Sequence, residues 1–219
     1  GWRAGYLALA LFALMVIPVS FIMKRTPEDH GWSPDGYTDS HSSLEETEPS
    51  LTRSEAVRTA SFWLLVIGLG LNTMAIISVL VHGIPYVTNS GFSRITAAFA
   101  VSFIGIGNLS SKVVWARALQ SVHPKILVLA AYTSSITGLI FTLYAGNTST
   151  QSFLTTGFFL FGFGFGGTIP LSESLWAVYF GRQHIGAIRG ISYPISAVGS
   201  SIGPVLVGLW FDYSQSYTA

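Results

Sequence analysis

Six apolar runs, near residues 6–23, 62–87, 95–114, 126–145, 153–178 and 188–211, dominate this chain of 219 residues. As helices, rising about 1.5 Å per residue, each is long enough to cross roughly 30 Å of hydrocarbon. Hydrocarbon offers no water to satisfy backbone N–H and C=O groups, so such segments must satisfy them internally. The composition agrees: half the residues are hydrophobic and a tenth are charged. An ordinary soluble domain carries about two and a half times that share of charge. The fold class is therefore an all-α membrane protein.

The placement of charge adds an orientation. Eight of the ten acidic residues (Glu28, Asp29, Asp35, Asp39, Glu45, Glu46, Glu48, Glu55) lie between the first and second runs, and Glu173 is the one acid within a run. Lys24, Arg25, Arg53, Arg58, Arg117, Lys125, Arg182 and Arg189 flank connections on one side, against Arg3 and Arg94 on the other. Cytoplasmic loops carry the excess of Lys and Arg, so loop 24–61 is expected in the cytoplasm of a cell whose plasma or inner membrane holds the protein. Both chain ends then lie outside, and 88–94 and 146–152 form external turns. The net charge of +1 comes with no basic stripe, which speaks against a nucleic-acid partner. The absence of Cys excludes disulfide frameworks and thiolate metal sites.

Three regions follow: residues 1–23, an apolar helix; 24–61, a linker; and 62–219, a bundle of five spans. The chain opens Gly1-Trp2-Arg3 with no leader-like charged segment, which reads as an internal helix cut from something longer. The linker is rich in Pro, Ser, Thr and acids, a composition that predicts mobility. Thr52 and Glu55 stand in capping-box spacing, predicting a short interfacial helix before Phe62. Glycines crowd the fifth span (Gly157, Gly162, Gly166, Gly167), and Gly199 and Gly203 form a small-xxx-small pair, as close helix packing in lipid requires. Pro18, Pro85, Pro170, Pro194 and Pro204 predict kinks whose freed carbonyls need other partners.

The third run carries the strongest candidate site. Asn108 and Lys112 are four residues apart on one helical face, with Ser110 and Ser111 beside them. A cation inside a span costs about 2.5–3.5 kcal/mol on insertion scales, so it usually faces a bundle interior or polar pathway. Lys112 is thus the candidate for touching a solute, although its long stem could also snorkel to the interface. Asn72, near mid-membrane, needs a hydrogen-bonding partner from a helix or a solute. Glu173 lies roughly 8 Å inside the inner end of its span. It is a candidate for gating or proton coupling, or for pairing with Arg182. His82, near the outer end of the second span, would either titrate with external pH or be held in a hydrogen bond. Gly162, Gly164 and Gly167 match G-x-G-x-x-G, but no strand precedes them, so the pattern reads as helix packing. No nucleophile with a plausible base and no metal-ligand spacing stands out. Neither an enzyme, nor a cofactor, nor a metal site is expected.

The motifs Arg25-Thr26-Pro27-Glu28-Asp29-His30-Gly31, Ala60-Ser61-Phe62-Trp63-Leu64-Leu65, His82-Gly83-Ile84-Pro85-Tyr86, the stretch from Gly181 to Gly190, and Gly203-Pro204 resemble those of bacterial major facilitator superfamily transporters. The resemblance is closest to the monocarboxylate and oxalate/formate carriers. It implies a partial major facilitator-type bundle, six transmembrane helices of twelve, running from helix six to helix eleven. The partners so implied are the first five helices of the same protein, the lipid bilayer and a small-molecule solute, with or without a coupling proton. In such carriers an eighth-helix cation binds the substrate anion, with an acid one turn earlier in some members. Lys112 takes the cation's place here, and Asn108 that of the acid. The loop between helices eight and nine, usually bearing Gly and Asp, has Ala116 and Gln120 instead. A second cation deeper in the eleventh helix, beyond Arg189, is missing, which disfavours a dicarboxylate. The function so implied is secondary transport of a small, monocarboxylate-like organic anion. A carrier of neutral or drug-like solutes and a non-transporting receptor are the alternatives.

Overall fold

A computed structural model describes residues 2–22 and 50–217; the linker expectation for 24–49 lies outside the described residues. The chain divides into two units, Gly1–Thr47 and Glu48–Ala219.

In the first unit the run expected as one span is two helices, α1 (Trp2–Leu14) and α2 (Val16–Ile22). Pro18 has no N–H to give the Leu14 carbonyl, and the ladder breaks there. The Met15 amide is shared between Leu11 and Phe12 carbonyls at 3.3 and 3.2 Å.

The second unit opens with α3 (Arg53–Val57), capped as the sequence predicts. Thr52 accepts from the Glu55 amide while Glu55 accepts from the Thr52 amide. Five long helices follow: α4 (Ala60–Asn89), α5 (Arg94–Ala118), α6 (Pro124–Thr148), α7 (Gln151–Phe180) and α8 (Ile185–Ser214). All five are long and apolar enough to cross a membrane. They alternate in direction, so Arg58, Arg117, Lys125 and Arg182 gather at one end, called here the basic end.

The packing follows the small residues. α7 lies against α5 and α6, and α8 lies along α4. A methyl group on Gly162 would run into the Ile104 carbonyl of α5, and one on Gly164 into the Ala131 carbonyl of α6. The glycines spaced as a nucleotide motif are therefore contact points for two different neighbours. On the other seam, a methyl on Gly203 would come within 2.6 Å of both Met74 Cγ and Ser78 Oγ of α4. Without a hydrophobic drive between helices in lipid, backbone approach at small residues supplies the dispersion contacts. At the basic end, Phe62 and Val66 of α4, Trp176 and Phe180 of α7, Ile188 of α8 and Ala56 of α3 form one buried cluster. The outer surfaces remain apolar: Leu64, Leu109, Leu129 and Val205, on four different helices, are all exposed. Such faces suit lipid.

Candidate functional site

Lys112 lies six residues before the end of α5, yet its ammonium does not reach to the basic end. Nζ donates to the Gly166 carbonyl at 2.7 Å, and Gly166 is midway along α7. Helical side chains lean toward their own N-terminus, which for α5 means away from the basic end. Gly166 is also the residue four before Pro170, so its carbonyl has no amide donor from the helix ladder. Lys112 fills that gap with one of its three N–H bonds. The residue as a whole is exposed, while the bond itself is partly buried.

Asn108 is half-buried beside the same seam. Ser111, expected to extend the polar face, is instead fully buried where α5 meets Gly166. Its hydroxyl donates to the Asn108 carbonyl at 2.8 Å. Asn72 lies elsewhere. It lines a cavity of about 280 Å³ with Tyr132, Ser135 and Phe161, and neither Lys112 nor Asn108 borders that space. Its amide nitrogen is buried without a hydrogen-bond partner.

His82 is held at both ring nitrogens. Nε2 is 2.9 Å from the Pro204 carbonyl oxygen. A carbonyl only accepts, so Nε2 carries the hydrogen and Nδ1 accepts from the Tyr217 hydroxyl at 3.1 Å. Burial, with help from Asp212, pushes the Tyr217 phenol above its usual range, keeping it a donor. These bonds tie α4 to α8 and to the residues just beyond it.

Glu173 pairs with Arg189 of α8, not with the Arg182 that sequence distance suggested. Their side chains are 41% and 16% exposed respectively. The guanidinium carbon also sits 4.5 Å over the Tyr193 ring, while Nε is buried without a partner. The pair borders a cavity of about 370 Å³ between α4, α7 and α8.

The structure thus separates the candidates: Lys112 with Asn108 on the α5 and α7 seam, Asn72 between α4 and α6, His82 at the far end, and Glu173 in a cavity with Arg189. Among the described residues no cluster of His, Cys, Asp or Glu could hold a metal ion.

The Major Facilitator Superfamily model matches residues 1–204. The chain belongs to that superfamily. No curated protein matches it. As a Major Facilitator Superfamily protein with five long apolar helices, it is an integral membrane protein built as a secondary transporter.

Arg189 is the residue that sequence reasoning passed over, assigned as it was to the flank of the last span. Its signal was present in Arg189, Ser192, Tyr193, Ser196 and Ser200, which recur at helical spacing on one face of α8. All five border the cavity.

Proposed function

We propose that the protein is a secondary active transporter of a small, monocarboxylate-like organic anion, working by alternating access about a site near the membrane midplane. The observation that carries this reading is the Lys112 ammonium, which sits at the depth of Gly166 with two donors beyond the one it gives that carbonyl. Inside a span such a cation is costly unless water or an anion meets it. Asn108, one turn away, hydrogen-bonds the bound solute, and the unpartnered Asn72 amide offers a further donor from its own cavity. Glu173 and His82, each bonded across helices, serve in gating or coupling. By the excess of Lys and Arg, the basic end faces the cytoplasm. A coupling proton would enter with the solute if uptake follows the pH gradient.

The test is uptake of radiolabelled lactate into liposomes holding the full-length protein, with lactamide as the uncharged competitor. Lactate uptake that lactamide does not compete, and that Lys112→Ala abolishes while membrane insertion persists, is the expected result. Competition by lactamide equal to that by lactate would favour a carrier of neutral or amphipathic solutes. Absence of any flux would favour a transporter-like receptor. Undiminished uptake in Lys112→Ala would remove Lys112 from the site.

A further inference from the structure

The cavity between α4, α7 and α8 carries a cation of its own. Arg189 enters it from one turn inside the start of α8, at the level of Glu173 on α7. Along α8 the cavity extends to Ser200, midway down that helix, and along α7 to Thr168, near the middle of its helix. It therefore runs from near the basic end to about the membrane's centre.

Its polar groups are incompletely used. Ser172 and Ser192 donate to carbonyls of their own helices at 2.9 and 3.0 Å. The Thr168 and Ser196 hydroxyls, one on α7 and one on α8, also line the cavity. Arg189 gives Nη1 to Glu173 and leaves Nε buried and unpaired. A buried donor with no acceptor is unfavourable, and guanidinium is the side chain whose planar fork matches a carboxylate in two parallel bonds. Glu173, itself partly exposed, holds only a part of that fork. The geometry therefore places one carboxylate on a cation that can accept a second, or exchange the first.

We propose that Arg189 is a binding site for the carboxylate of a short organic acid, with Glu173 as the competing internal carboxylate that the ligand displaces. Thr168 and Ser196 donate to the ligand's far end. A cavity of about 370 Å³ accommodates an acid of several carbons. The site rests on the organic-anion reading above for its ligand class, but it is distinct from Lys112, which does not border this cavity. It is a second stopping place on the path, nearer the basic end.

Trp176, buried and in the wall of the cavity, reports on it. The experiment is titration of the full-length protein in detergent with lactate, following tryptophan fluorescence, with Trp176→Phe to assign the signal. Lactate is expected to change the emission and Trp176→Phe to remove most of that change. Arg189→Gln should weaken binding at least tenfold, and Arg189→Lys, which keeps charge without the fork, by an intermediate factor. Glu173→Gln removes the competitor and should tighten binding several-fold. A purely structural ion pair predicts the reverse sign, so Glu173→Gln weakening lactate binding as Arg189→Gln does would overturn the proposal. So would an equal response to lactamide, or unaltered binding in an Arg189→Gln protein that retains wild-type thermal unfolding. Because binding is read directly, failure here is separable from failure of uptake through Lys112.

Discussion

The Lys112 ammonium lies 2.7 Å from the Gly166 carbonyl oxygen, the one carbonyl in α7 that Pro170 deprives of a helical donor. The cation therefore repairs a proline kink, and under the proposed function it also meets the solute. The two roles can be separated by restoring the missing amide. Lys112→Ala should destabilise the protein by about 1–3 kcal/mol, the cost of an orphaned buried carbonyl. Pro170→Ala supplies the amide N–H that the ladder lacks. In that background Lys112→Ala should cost markedly less stability while uptake stays abolished. Thermal unfolding in detergent, run as a double-mutant cycle beside lactate uptake, checks both halves. Equal cost in the two backgrounds would mean that the Gly166 bond contributes nothing to stability.

Much of the architecture was legible because lipid allows few solutions. An apolar run of twenty residues has to be a helix, and glycines at 162, 164 and 166 have to mark close neighbours. What was illegible required knowing which residues meet across helices. Nothing local joins Lys112 to Gly166, 54 positions away. Arg189 was read as a flanking charge because hydropathy placed the span's start near Ile188, whereas α8 begins at Ile185 and carries Arg189 inside. Pro18 announced a kink, but only the structure puts the break at Met15. The candidate site was thus half visible: Glu173 stood out as a lone acid, and its partner did not.

The α5 and α7 seam makes a sharp demand at Gly162, whose added methyl would meet the Ile104 carbonyl rather than a movable side-chain tip. Gly162→Leu should push the two helices apart and cost more than the roughly 1–3 kcal/mol typical of overpacking. Gly68 faces open space, so Gly68→Ala should be near neutral, or stabilising by up to ~1 kcal/mol through helix propensity. Thermal unfolding of the two variants in one detergent tests the contrast; similar losses in both would mean that the seam is not where the packing is tight.

Tyr217 donates to His82 Nδ1 while packing against Phe211 at 4.4 Å between ring centres. Tyr217→Phe keeps the ring and removes the donor, at a cost of about 1 kcal/mol for one hydrogen bond. Amides near the end of α8 should then exchange several-fold faster, with those of α6 unchanged. Hydrogen exchange followed by mass spectrometry reads this directly, and a uniform rise across all helices would point to global loosening instead.

At the start of the second unit, Glu55 accepts from the Thr52 amide at 2.8 Å and from its hydroxyl at 2.7 Å. These bonds favour the ionised form and hold the Glu55 carboxyl below its ordinary value, the backbone bond being the larger cause. In the unfolded segment the carboxyl titrates at about 4.3. A group whose folded value is depressed contributes stability fully present above its unfolded value, and loses it as pH falls through the folded one. The α3 turn should therefore hold its cap at neutral pH and fray as the solution is taken below about 4. Glu55→Gln can still bond the Thr52 amide through its carbonyl oxygen but has no charge to lose, so its α3 amides should exchange at a protection independent of pH in this window. Wild-type protection that stays flat through the same window, once corrected for intrinsic exchange, would mean that the carboxylate form is not what holds this helix start.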